Sequence, residues 1–128
     1  MKPKLIAQME QHFGQDLRRI NHAYRVLAEA EKLLAKEPGA DEEIVVAAAI
    51  LHDIGIHAAE KKYNSNAGKY QEIEGPPIAE RLLHEVGFSE SKVAEVLEII
   101  AHHHSGGIKT NNFQIIWQAD IRVNQLDG

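Results

Sequence analysis

The chain has no cysteine, which excludes disulfides, thiolate nucleophiles and cysteine-held zinc or iron–sulfur centres. Any metal it holds must be bound by imidazole and oxygen. Aromatic residues make up only 5% of the sequence. The longest apolar run, Ile44 to Leu51, falls far short of the roughly 20 residues that span a bilayer. Met1 to Phe13 also lacks the continuous apolar stretch of a secretory signal, so a cytoplasmic protein away from membranes is expected. Positive charge is in deficit, with 14 Lys and Arg against 19 Asp and Glu and a formal net charge of -5. No basic stripe offers to neutralise a phosphate backbone, and duplex nucleic acid is not an expected partner. What stands out is eight histidines in 128 residues, a length that suits one domain, with 44% hydrophobic residues to build its core.

Apolar residues recur at helical spacing and strict alternation is almost absent, which predicts an all-α bundle of about six helices. The first covers Lys2 to Phe13 and is closed by Gly14. The second opens at Asp16, a good N-cap, and runs to about Lys36 with Ile20, Tyr24, Leu27, Ala30 and Leu34 on its apolar stripe. The third starts at Asp41 and runs through Ile44–Leu51 to His52-Asp53. It is apolar on every side, which places it at the centre of the bundle. Gly55 then offers a helix C-terminus. His57 to Gly75 reads as a long polar loop, of the kind that is either functional or disordered. Pro76-Pro77 opens a fourth helix to about Val86, and Ser89 caps a fifth that ends in His102-His103-His104. The last begins at Asn111, with Gln114 at capping-box spacing, and carries Phe113, Ile116, Trp117, Ile121 and Val123.

Several polar residues occupy positions where these helices call for apolar ones. His22 stands four residues before Val26. His52 follows Ala48 by one turn, with Asp53 beside it. Asp120 follows Ile116 by four and precedes Val123 by three, which puts a carboxylate on a buried face. An unpaired buried carboxylate costs several kcal/mol, so its charge must be compensated, and a shared cation does this economically. Two imidazoles and two carboxylates suit Mn, Fe, Zn, Ni or Co better than Ca. A His-Asp dipeptide alone arises by chance about 0.3 times in such a composition, whereas His52-Asp53-Ile54-Gly55 is expected on the order of 0.002 times, which makes the longer motif specific.

With His22, the His52-Asp53 pair and the distant Asp120 in that order, the sequence from about Asp16 to Asn124 resembles the HD superfamily of metal-dependent phosphohydrolases. The resemblance implies a helical fold and a divalent ion (Mn, Fe, Co, Ni, Zn or Mg) that activates water against a phosphate ester. The substrate it implies is a nucleotide or another small phosphorylated metabolite. One ion is expected, with room for a second. Relatives with two ions have a further His before a Gly-rich helix start and another at the end of the following helix. Glu74 occupies the first of these positions. The second falls on His103, three residues after Ile100 on the buried side, with His104 the near alternative.

Where several relatives carry Lys or Glu after the His-Asp pair, this chain reads Ile54-Gly55-Ile56-His57. His57 is then either a proton donor to the leaving oxygen or a loop residue without chemistry, and Glu72 and Glu74 are the other candidates to handle the proton. Lys61 and Lys62 suit a phosphate-gripping lid or a solvated loop, while Arg18 and Arg19 read as surface residues. Two other classes fit the same residues: a non-catalytic metal- or nucleotide-binding signalling module, and a di-iron oxygenase of the same superfamily. The reading is compatible with a homo-oligomer.

Overall fold

The computed structural model describes residues 1–127, and the described residues form helices and turns without strands. The helices are α1 (Lys2–Phe13), α2 (Leu17–Leu34), α3 (Glu42–Leu51), α4 (Ile56–Tyr63), α5 (Gly68–Glu85), α6 (Glu90–His102) and α7 (Asn111–Asp127). The all-α bundle expected from apolar spacing is what forms.

Helix α3 is the axis around which the rest is laid. Its residues from Ile44 to Leu51 are all buried, and it packs against α1, α2, α6 and α7. Each large apolar side chain in it, such as Val45, Ile50 or Leu51, contributes on the order of 1.5–3 kcal/mol by leaving water. Its start is set by Asp41, whose carboxylate accepts from the Ile44 N–H, with Glu42 and Glu43 in the first turn beside the positive end of the dipole. Asp16 caps α2 in the same way through the Arg19 N–H. At α7 the cap is Thr110 and not Asn111, since the Thr110 hydroxyl accepts from the Phe113 N–H while Gln114 reaches back to the Ile108 carbonyl. Two residues assigned to apolar stripes, Tyr24 and Ile121, are exposed.

The segment from His57 to Gly75 is not a loop. It holds α4 and the first two turns of α5, separated by a short break at Asn64, which adopts the left-handed conformation at the end of α4. Nor do Pro76 and Pro77 open a helix: they lie inside α5, which continues through them. Two prolines remove two i→i−4 hydrogen bonds. Packing against α4 on one side and α6 on the other holds the helix together across the gap.

Gly55 also has a different role from the helix end assigned to it. Its φ of -85° is open to any residue, and it caps the start of α4. What it supplies is space: a Cβ there would stand 2.6 Å from the Gly75 nitrogen and 2.9 Å from the Gln71 carbonyl oxygen. The turn after α3 and the middle of α5 therefore meet backbone to backbone.

Candidate metal centre

The two innermost imidazoles are held by one device used twice. His52 follows the last residue of α3 and His103 the last residue of α6. Each donates Nδ1–H to a carbonyl three residues earlier, His52 to Ala49 at 2.8 Å and His103 to Ile100 at 2.7 Å. The bond satisfies a carbonyl left over at the helix end and locks the ring, so that Nε2 points inward and carries the lone pair in neutral imidazole.

His52, from the end of α3, meets Asp53 of the following turn, His22 of α2 and Asp120 of α7. His22 Nε2–H donates to Asp120 Oδ1 at 3.1 Å, and the same nitrogen lies 3.4 Å from Asp53 Oδ2. His52 Nε2 is 3.3 Å from Asp53 Oδ2 and 3.5 Å from Asp120 Oδ1. It is sealed from solvent and has no hydrogen-bond partner. Ligand atoms of His22, His52 and Asp120 all lie within 4.8 Å of one another. A buried ring nitrogen without a hydrogen-bond partner, between two carboxylate oxygens and beside a second imidazole, fits a divalent transition ion in both charge and donor type.

The protonation states of the metal-free site follow from this geometry. Burial works against the imidazolium of His52, but the adjoining Asp53 and Asp120 carboxylates override it and raise its pKa well above 6.5. Burial likewise opposes the charge on Asp53 and Asp120. The imidazoles of His52 and His103 nevertheless hold Asp53, and those of His22 and His52 hold Asp120, well below the usual carboxylate range. The two depressed carboxylates stabilise the fold above about pH 3.8, an effect lost as pH falls through their folded values. The raised His52 stabilises it fully below pH 6.5, an effect lost as pH rises through its folded value. Chelated protein is therefore expected to lose thermal stability as pH rises above 6.5 in a melting series. Metal-loaded protein should not, because the ion replaces the proton, and metal affinity itself should weaken from pH 8 to 6. A flat profile for the chelated protein would contradict this arrangement.

Other residues singled out in the sequence stand elsewhere. His57 donates Nε2–H to Asp16 at 2.8 Å and packs against Phe13 and His12, tying the start of α4 to the cap of α2. Glu74 accepts from the Tyr63 hydroxyl at 3.0 Å and faces Lys62 at 3.5 Å, so both are engaged with α4. Lys61 and Lys62 are exposed on α4. For His57, Lys61 and Lys62 the reason is that α4 is a helix, whose turn directs these side chains away from the centre that a loop could have folded over, while Glu74 lies on α5 and turns to Tyr63 of α4. Glu72 is also occupied, accepting from the His104 and Ser105 N–H groups and the Ser105 hydroxyl at 2.8–3.0 Å.

Above the centre lies a cavity of about 570 Å³, lined by Arg18, Arg19, Asn21, His22, Arg25, Asp53, Ile56, Gln71, His104, Asp120, Asn124 and Leu126. The arginines assigned to the surface are thus beside the centre, and the lysines of α4 are not among the described lining residues. The signal was present in the sequence: Arg18 and Arg25 are four residues before and three after His22, on the same face of α2. Among the described residues no helix is long and apolar enough to cross a membrane. A family model described as HD domain matches residues 19–124. No curated protein and no solved structure matches the chain.

Proposed function

Because the chain belongs to the HD-domain family, whose members hold divalent metals, we propose that it is a metal-dependent phosphohydrolase acting on a small phosphorylated substrate. The observation that carries this reading is the buried His52 Nε2, without a hydrogen-bond partner, between two ionised carboxylates and directly below a cavity that bears three arginines. His22, His52, Asp53 and Asp120 are the residues that hold the ion. A bound divalent cation acidifies water towards neutral pH and draws charge from a phosphoryl oxygen.

The chain's own residues supply binding and orientation. Arg18 and Arg25 flank His22 on one face of α2, with Arg19 beside them. Guanidinium groups pair bidentately with phosphate oxygens, which fixes the phosphoryl group beside the carboxylates and offsets the repulsion that Asp53 and Asp120 exert on an anion. Cavity residues Asn21, Gln71 and Asn124 add neutral polar groups for the remainder of the substrate. A nucleotide fits the cavity's size and polarity, as does a smaller phosphate ester.

Turnover of a panel of nucleotides and phosphate monoesters, measured with Mn, Co, Ni or Mg added to chelated protein, tests the reading. Metal-dependent release of phosphate is expected. Tight ligand binding with no turnover under any metal would replace the enzyme with a binding module. Within an active enzyme, Arg18→Ala is expected to raise KM about 10- to 100-fold, the equivalent of the ~1.5–3 kcal/mol of a hydrogen bond to a charged group. Metal content should be unchanged. Lys61→Ala and Lys62→Ala should leave KM within about twofold, since screened surface charges act weakly.

A further inference from the structure

We propose that Arg25 binds a second anionic group of the substrate, so that the preferred substrate carries a further phosphate or carboxylate beyond the phosphoryl group that is cleaved. The inference rests on the phosphohydrolase reading above and names the class of substrate it acts on.

The arginines of the cavity are spread along α2 and not gathered at one point. Arg18 and Arg25 are seven residues apart, which separates them by about 10 Å along the helix axis while keeping them on one face, with His22 between them. A guanidinium thus stands on either side of the ligand that α2 contributes, and the two sides differ. Past Arg18 the cavity meets α4: Asp16, two residues earlier, accepts from His57 Nε2–H at 2.8 Å, and the buried Ile56 of α4 belongs to the wall. Past Arg25 it continues. A second cavity of about 420 Å³ adjoins the first, and Arg25 and Leu126 line both. A substrate with its phosphoryl group at His22 and Asp120 therefore has room to extend beyond Arg25.

The groups along that path are suited to an anion. One turn beyond His22 and Asp120, α2 and α7 present Arg25 and Asn124 to the cavity, a guanidinium and an amide that can both donate to anionic oxygens. Glu29, an acid in the wall of the second cavity, is met by Lys32 and Arg122, each at 3.4 Å, so its charge is compensated.

Charge balance points the same way. The chain has a formal net charge of -5, yet the described lining of the first cavity holds three arginines against two carboxylates, Asp53 and Asp120. A divalent ion offsets the carboxylates and leaves the three guanidiniums. A phosphate monoester brings about two negative charges at neutral pH, and a second anionic group on the same molecule supplies the rest. No Phe, Tyr or Trp is among the described lining residues of either cavity, so these walls recognise charge in preference to an aromatic ring.

Calorimetry on the Mn(II)-loaded full chain tests the assignment with three non-hydrolysable probes built on one carbon chain: pentylphosphonate, phosphonopentanoate and pentane bisphosphonate. At least one two-anion probe is expected to bind about 10- to 100-fold tighter than pentylphosphonate, the gain of a charged hydrogen-bonded pair. Whichever of the two gains more tells whether the second group is a carboxylate or a phosphate. Arg25→Ala should bring the ratio to within about twofold of unity, and Arg25→Lys should restore part of it, since lysine keeps the charge and loses the fork. Arg18→Ala should weaken all three probes and keep the ratio. In turnover, a sugar bisphosphate should be favoured over its monophosphate by a similar factor in kcat/KM. Absence of turnover on every phosphate ester overturns the phosphohydrolase reading, and the binding ratio still decides the second site. Equal affinity of wild-type protein for the three probes, or a ratio that survives Arg25→Ala, overturns it.

Discussion

His52→Ala is expected to lower metal affinity by well over 100-fold, abolish metal-dependent turnover and destabilise the chelated protein at the same time. The metal effect is the larger of the two, since even removal of a group that merely orients a ligand costs 10- to 100-fold and His52 is itself placed as a ligand. The stability effect has a separate cause. His52 is 1% exposed and supplies the charge that compensates two carboxylates, each 9% exposed. Breaking a buried charge pair by removing one partner costs about 3–5 kcal/mol. The Ala49 carbonyl loses its partner as well. In a domain of this size the result is a fall in melting temperature on the order of 10 °C or more, measured in the presence of chelator. Asp120→Asn serves as the companion variant because it keeps the shape of the side chain while removing one charge and one ligand. It should remain folded yet fail to retain metal. Wild-type stoichiometry and affinity in both variants would remove His52 and Asp120 from the centre.

Gly55→Ala is expected to cost about 3 kcal/mol of stability and to weaken metal retention at Asp53, two residues before it in the same turn. Overpacking a well-packed interior costs about 1–3 kcal/mol when side chains can shift. The atoms that a Cβ at residue 55 would strike are backbone atoms of Gly75 and Gln71, which move only if α5 moves. Retreat of α5 carries Gln71 and Glu72 with it, and these residues hold His104 and its turn. Gly14→Ala is the internal control. Gly14 has a φ of +61° and nothing within 4 Å of an added Cβ, so its substitution carries the torsional cost alone, about 1–2 kcal/mol, with no effect on metal. Equal losses in the two variants, or unchanged metal binding in Gly55→Ala, would argue against close approach as the role of Gly55.

The Gly55 position illustrates how a motif can be legible while its reason is not. His52-Asp53-Ile54-Gly55 is conspicuous in the sequence, and a glycine after a helix reads naturally as a left-handed cap. The conformation is right-handed, and the requirement for glycine comes from Gly75, a residue 20 positions away in sequence. The stretch after it was misread for a related reason. Helix α4 is eight residues long and its buried positions are Ile56 and Ala59, too few to imprint a helical period on a polar segment. An isolated helix of that length is not stable in water, and this one exists through its contact with α5. The sequence puts Lys61 and Lys62 near the centre because a loop could bring them there, His57 because it follows the motif, and Glu74 because the resemblance has a ligand at its position. A helix fixes their directions and takes them away.

Local chemistry written in the sequence was enough to specify the helical class, the central position of α3, the caps at Asp16 and Asp41, and four polar residues that apolar faces could not tolerate unpaired. These follow from spacing and from the cost of burying charge, which act on any chain that folds as helices. Tertiary packing alone decided that the arginines of α2 and not the lysines of α4 line the cavity, that Asp53 faces His22 and His52 with one oxygen and His103 with the other, and that Glu74 turns to Tyr63. Those outcomes depend on how α2, α5 and α6 are set around α3, a matter of contacts between residues far apart in the chain, for which helical periodicity within one segment carries no information.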